Sequence, residues 1–294
     1  MKGRKTWRSI NISGLQSSFD VRLEISVTCL AALFAQQLRE PQDLQALAGA
    51  GGSGGARPKA NVRDGDTLWL AKFTSVHDEH PIERVEVATL RLADSCGIRT
   101  PVMRLELADT PFPVALVQRF DRRGISRIPY ISARTALGKT GTELGSYTEI
   151  VDFIRGYAAD PHYDFRELYQ RLIFTILVSN KDDHLKNHGF LYVGAGRWRL
   201  SPVFDVNPAP DRNPHLETAI MEGGAHDRSI NLALEASGFF EIPEKEARQI
   251  IRETARRISN GWRDALRLVG VTGTLAREYE PAFVNDQTEC ALGL

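Results

Sequence analysis

The sequence predicts an α+β chain of two lobes, a small β-rich lobe running to about residue 121 and a larger helical lobe after it. Three observations carry that expectation. Residues 67–73 alternate like a strand behind a glycine-rich loop at 48–59, and 102–106 and 114–119 read as two more strands. From residue 147 the apolar spacing changes to the helical period. Between these, 178–208 reads VSNKDDHLKNHGFLYVGAGRWRLSPVFDVNP, a polar run after an apolar helix, then a strand pair, then another acid.

The 294 residues are enough for one large or two modest units with ample core. Thirty-seven basic and 37 acidic residues cancel, so bulk charge gives no case for direct nucleic-acid binding. Cys29, Cys96 and Cys290 lie far apart, outside any CxxC, and suit a reducing cytoplasm better than a disulfide framework. No apolar run is long enough for a membrane span. The apolar stretch 25–34 follows a basic start but begins late, follows Glu24 and lacks a cleavage site, so it does not read as a signal peptide.

In chain order, 1–47 is an N-terminal arm followed by a helix over 26–39 capped by Ser26, with a helical turn at 41–47. The small lobe spans 48–121. Gly49, Gly51 and Gly54 spell GxGxxG, but no strand precedes them and Arg57-Pro58 stands where a helix should start, which excludes a dinucleotide fingerprint. Backbone N–H groups in such a loop can approach phosphates closely, and Lys59 adds charge. Thr67–Phe73 is a strand entered through the Asp64-Gly65 turn, with Lys72 near its end. Ile82–Cys96 is a helix closed by Gly97, and either Glu83 or Glu86 could reach Lys72. Two strands, 102–106 and 114–119, follow.

Residues 122–294 form the helical lobe. Arg123–Ser146 reads as a long loop; its Gly138-Lys139-Thr140 lacks the upstream glycine of a P-loop, Ala133 standing there. Helices follow at 147–158 and 164–179, the second a largely buried rod that delivers the polar run from a rigid base. A hairpin crosses Gly194-Ala195-Gly196 and returns Asp205 toward Asn187. After a loop at 210–224, helices are expected at 232–239 and 245–268.

The order of parts is that of a phosphoryl-transfer site: glycine loop, strand Lys, helix Glu, connector, then Asp182, Asn187 and Asp205. A hydroxyl attacking a γ-phosphoryl needs a proton acceptor, and an ionised Asp182 can be one. Mg²⁺ takes hard oxygen ligands, which Asn187 and Asp205 supply. Lys72 suits the α- and β-phosphates, and Lys186 adds positive charge beside the base. His184 has no zinc-spaced partner and fits a loop-bracing role among the nucleotide-binding residues.

Asn180, Asp182, His184, Lys186 and Asn187 form N-x-D-x-H-x-K-N, followed by Ser201-Pro-Val-Phe-Asp-Val-Asn-Pro208. In these runs, and in Gly54-Gly55-Ala56-Arg57-Pro58-Lys59-Ala60, the chain resembles the HipA family of bacterial serine/threonine kinases, toxins of toxin–antitoxin pairs, over about 44–270. Phe204 replaces the family's usual Tyr. The resemblance implies a two-lobed kinase-like fold with ATP and Mg²⁺ in the cleft. Gly54, Gly55, Ala56 and Lys59 would cover the phosphates, Glu86 rather than Glu83 would pair with Lys72, and Gln118 and Phe120 would offer backbone groups to adenine. The family's self-phosphorylated serine does not carry over: Gly52 stands at its place and Ser53 is one position off. The short stretch before the glycine loop is similar to shorter members whose missing N-terminal subdomain is a separate small protein. Implied partners are that protein, a DNA-binding HipB-like antitoxin and a protein substrate of the aminoacyl-tRNA synthetase class, with no direct nucleic-acid or membrane contact. Two other classes use similar parts: a silent antitoxin-docking module and a small-molecule phosphotransferase.

Overall fold

The computed structural model describes residues 25–26, 59–74, 78, 80–110, 112–124, 126–211 and 215–294. A five-stranded sheet carries the first part of the chain. Its strands are β1 (Ile25–Ser26), β2 (Lys59–Asp64), β3 (Thr67–Phe73), β4 (Met103–Glu106) and β5 (Val114–Gln118), in the order β1-β2-β3-β5-β4. Ser26, expected to cap a helix, ends β1, which pairs parallel with Val62 and Arg63. The arm, the remainder of that helix, the turn at 41–47, Gly54, Gly55 and Ala56 lie outside the described residues. Ala60, Val62, Trp69, Ala71, Phe73, Val114 and Leu116 alternate along β2, β3 and β5 and make a small core of their own.

Helix α1 (Ile82–Ser95) ends as expected at Gly97, φ +83°. Its apolar face, with Val85, Leu90 and Leu92, belongs to the large core of the helical lobe rather than to the small sheet core. It packs on α6 (Glu244–Arg267), where a Cβ on Gly261 would sit 3.1 Å from Leu92 Cδ1, so glycine permits the close approach.

The expected loop at 123–146 is instead structured in its first half. It holds a two-strand hairpin, β6 (Arg122–Arg123) and β7 (Ser126–Arg127), then β8 (Tyr130–Ser132) and a short helix α2 (Ala133–Ala136). Strand β8 is three residues long and its partner lies far downstream, so no local period announced it. Together with β9 (Gly189–Gly194) and β10 (Arg197–Leu200) it forms a sheet of order β10-β9-β8. The β9–β10 turn has positive φ at both Ala195 and Gly196, 50° and 71°, as tight hairpins prefer.

Helix α3 (Tyr147–Tyr157) starts on a capping box between Ser146 and Glu149. Helix α4 (Pro161–Leu177) starts earlier than the sequence pattern indicated, because Asp160 caps it and Pro161 fits its first turn. Phe165, Leu168, Leu172, Ile173 and Ile176 are almost wholly buried, each stabilising by about 1.5–3 kcal/mol. Beyond α5 (Ile230–Glu235), a 3₁₀ turn at Ala236–Phe240 and α6, two further helices close the chain, α7 (Gly273–Phe283) and α8 (Asp286–Gly293). Cys96 and Cys290 are free thiols, Cys96 pushed up to about 11 by burial. Among the described residues no helix is long and apolar enough to cross a membrane.

Candidate active site

Strand β3 carries Lys72 into the gap between the sheet and the helical lobe, where it is 7% exposed. Its ammonium donates to Glu86 Oε1 at 2.5 Å and to Asp205 Oδ1. Glu83, one turn earlier on α1, accepts instead from Thr74 Oγ1 at 3.2 Å, so the helix phase settles the choice for Glu86. Lys59 stands opposite Lys72 in the β2–β3 register.

Three groups share this buried point. Burial alone would lower the Lys72 pKa, but Glu86 and Asp205 overcome it and hold the ammonium protonated above its usual range. Burial pushes Asp205 up, yet Lys72 and then Lys59 bring it below the usual carboxylate range, so it is ionised. Glu86 is raised, burial outweighing the attraction of Lys72. Asp205 also holds left-handed backbone, φ +56°, a strained conformation costing about 1–3 kcal/mol.

The polar run begins where α4 stops. Ser179, φ +55°, turns the chain; its Oγ donates to Ala282 O at 3.0 Å and accepts from Arg228 Nη1 at 2.8 Å. Two bonds then pin this run to the segment carrying Asp205: Asn207 N–H donates to Asn180 Oδ1 at 3.3 Å, and Ala209 N–H to Ser179 O at 3.1 Å. From behind, α4 holds the same segment, since Arg171 Nη2 donates to Ser201 O at 2.7 Å and Asp164 Oδ2 accepts from Leu200 N–H at 3.2 Å.

Within the run, Asp182 directs its carboxylate to solvent, 80% exposed, with His184 Nε2 3.9 Å away. Asn187 Nδ2 donates to the Asp182 carbonyl at 2.8 Å, which aims the amide and braces the loop. Lys186 is exposed and in no ion pair among the described residues. No hydrogen bond joins Asn187 to Asp205 among the described residues; Asp205 is bonded to Lys72.

Sequence reasoning passed over Asp183, beside Asp182. It is buried, accepts from the Tyr147 hydroxyl and lies 3.2 Å from His188 Nε2, while its backbone carbonyl accepts from Thr218 Oγ1 at 2.6 Å. Burial pushes its pKa up, but His188 and Tyr147 outweigh that and leave it lowered. Only the burial separates it from its exposed neighbour. Tyr130 was also missed; burial, then Asp205 and Asp121, push it up to about 12. A Cβ on Gly189 would overlap its ring, so glycine makes room for it.

The connector runs on from the end of β5, an inner strand of the sheet. Gln118 N–H donates to Val102 O and Arg119 N–H to Leu68 O, both at 2.8 Å. The Phe120 ring packs 5.6 Å from Phe204 and 6.1 Å from Tyr130, joining the connector to the segment that carries Asp205. The site can therefore offer a cation and an ionised carboxylate at one point, with the Asn187 amide and the exposed Asp182 carboxylate on the run bonded to that segment.

Residues 51–262 match the model of the HipA-like C-terminal domain family. Among curated relatives, the "Putative kinase" of Haemophilus influenzae is 28% identical over 153 residues, 46% of this chain and 44% of its own length. The "Putative kinase Y4mE" of Sinorhizobium fredii is 29% identical over 191 residues, 60% of this chain and 43% of its own length. The chain thus aligns with less than half of each relative. Among solved structures, HipA of Shewanella oneidensis, in complex with HipB and operator DNA, superposes with a TM-score of 0.67 at 16% identity, covering 92% of this chain and 72% of that one. The Helicobacter pylori proinflammatory kinase CtkA gives 0.62 at 13% identity, covering 82% and 93%. These likenesses show a kinase-like fold.

Proposed function

The chain belongs to the HipA-like C-terminal domain family, and on that premise we propose that it is an ATP-dependent serine/threonine protein kinase of a toxin–antitoxin pair. One observation carries the reading: Lys72, Glu86 and Asp205 converge in a buried cluster whose Asp205 segment is bonded to the run holding Asp182 and Asn187.

The residues fit Mg²⁺-ATP. Asp205 is ionised, and Asn187, its Nδ2 engaged, has an amide oxygen with no donor among the described residues, a hard-oxygen pair of the kind Mg²⁺ takes. Bound there, the ion would neutralise phosphate charge. Lys72, held protonated by its two carboxylates, orients the α- and β-phosphates. Asp182, solvent-facing, accepts the proton of the incoming serine hydroxyl, and Lys186 faces the charge that develops in transfer. Gly54, Gly55, Ala56 and Lys59 would cover the phosphates, and the backbone at Gln118 and Phe120 would meet adenine.

By family likeness the protein partners are a DNA-binding HipB-like antitoxin, a small N-terminal-subdomain protein and an acceptor such as an aminoacyl-tRNA synthetase; the Shewanella oneidensis HipA structure, which holds HipB, supports the first. The test is transfer from γ-labelled ATP to lysate proteins, against sugars and aminoglycosides as acceptors, with Asp182→Asn as control. Label on protein serine, reduced about 10²–10⁴-fold by Asp182→Asn with nucleotide binding intact, is the expected result. Label on small molecules, or transfer that Asp182→Asn leaves unchanged, overturns the reading.

A further inference from the structure

The chain's charges balance, 37 against 37, but residues 119–139 do not share that balance. They hold Arg119, Arg122, Arg123, Arg127, Arg134 and Lys139 against Asp121 alone. Asp121 is already used: Arg119 grips both its oxygens at 2.7 and 2.6 Å, and Arg122 reaches it at 2.5 Å. Lys139 pairs with Glu149 at 2.6 Å, and Arg134 donates to Gly141 O. Arg123 and Arg127 are left exposed, with no ion pair among the described residues.

The hairpin register makes this worse for the free protein. Arg122 stands directly opposite Arg127, with Arg123 beside them, and like charges facing across a ladder destabilise it by a few tenths of a kcal/mol or more. Burial first, with Arg119 and Arg127 adding to it, lowers Arg122 below the usual guanidinium range even though Asp121 opposes them. Such crowding contributes nothing to folding and is relieved by an anion.

The hairpin sits between the connector and the sheet that follows the Asp182–Asn187 run. The hairpin leaves the connector directly after Phe120 and Asp121, and Ile128 N–H closes it onto Asp121 O at 3.0 Å. The chain then enters β8, which pairs with β9 just beyond the Asp182–Asn187 run; Tyr130 of β8 feels the charge of Asp205. A segment lying on the hairpin therefore leads toward the proposed transfer site.

We propose that the β6–β7 hairpin docks an acidic stretch of the protein acceptor, with Arg123 and Arg127 taking its carboxylates and setting the enzyme's preference for acidic flanking sequence. This rests on the acceptor being a protein. Guanidinium forks match carboxylates in bidentate pairs. Nucleic acid fits less well: two free guanidiniums are few beside the roughly 6–10 phosphate contacts of a typical duplex binder. The nearby aromatic ring that could stack a base, Phe120, is packed on Tyr130 and Phe204.

The test is fluorescence anisotropy at low salt with the full chain and three labelled probes: an octaglutamate peptide, an octaglutamine peptide and a single-stranded DNA octamer. Octaglutamate should bind and octaglutamine should not. Arg123→Glu with Arg127→Glu should weaken octaglutamate about tenfold, the effect of exchanging two surface attractions for two repulsions. Mg²⁺-ATP binding should be unchanged in that variant and its melting temperature should not fall, since a glutamate at 127 faces Arg122; should it melt early, Arg127→Gln alone must still weaken octaglutamate about threefold. Equal binding of the glutamate and glutamine peptides, indifference of either variant, or DNA bound more tightly through the same arginines would overturn the proposal. Because binding is read without catalysis, a chain that binds octaglutamate but transfers no phosphate would refute the kinase reading and not this one.

Discussion

Lys72 Nζ lies 2.5 Å from Glu86 Oε1, both side chains almost fully buried, and so joins the middle of a sheet to a helix that packs with the opposite lobe. The strand, the helix and, through Asp205, the segment after β10 meet at this ammonium. Taking it away leaves the buried Glu86 carboxylate and the part-buried Asp205 carboxylate without their shared cation.

Lys72→Met should therefore cost about 3–5 kcal/mol near neutral pH, measured by urea unfolding. The sign of its pH dependence follows from Glu86, whose folded pKa is raised by burial before anything else. A raised acid stabilises below its ordinary value and loses that contribution as pH rises through the folded one. Without Lys72 the raise is larger, so the penalty should be smaller at about pH 5 than at about pH 8. A penalty that is flat with pH would contradict the cluster.

Asp205→Ala should abolish Mg²⁺-dependent nucleotide binding in a calorimetric titration while the chain stays folded, because Lys72 keeps Glu86 as its partner; alanine retains the left-handed backbone, so some loss of stability is expected. Unchanged binding would remove Asp205 from the proposed metal set.

Asp183 should behave differently from its neighbour Asp182. Its carboxylate is lowered below the ordinary range, His188 and Tyr147 outweighing the effect of burial. Its contribution is present above that range and is lost as pH falls through the lowered value. Asp183→Asn should thus lose about 1.5–3 kcal/mol at neutral pH and flatten the acid limb of the stability curve below about pH 4. Asp182→Asn, at an exposed site, should shift stability by no more than about 0.5 kcal/mol. Parallel acid titrations of both variants, followed by circular dichroism, distinguish the two.

The residue pattern by itself determined the elements whose period is local. β3, α1, the β9–β10 hairpin and α4 are legible because each shows its period of two or 3.6 within its own span, and Gly97 and Gly196 mark ends that backbone sterics dictate. The ordered spacing of Lys72, Asp182, Asn187 and Asp205 was likewise readable, since chemistry demands those types in that order. Tertiary structure alone decided the rest. It set Glu86, which the local residues left level with Glu83 and the family pattern favoured, onto Lys72 through the helix phase against β3, and it gave α1 to the helical core through the Leu92–Gly261 approach. It made a strand of Tyr130–Ser132 and a buried anchor of Asp183. Each of these depends on a partner from elsewhere in the chain, and burial against a distant partner leaves no period in the local sequence by which to read it.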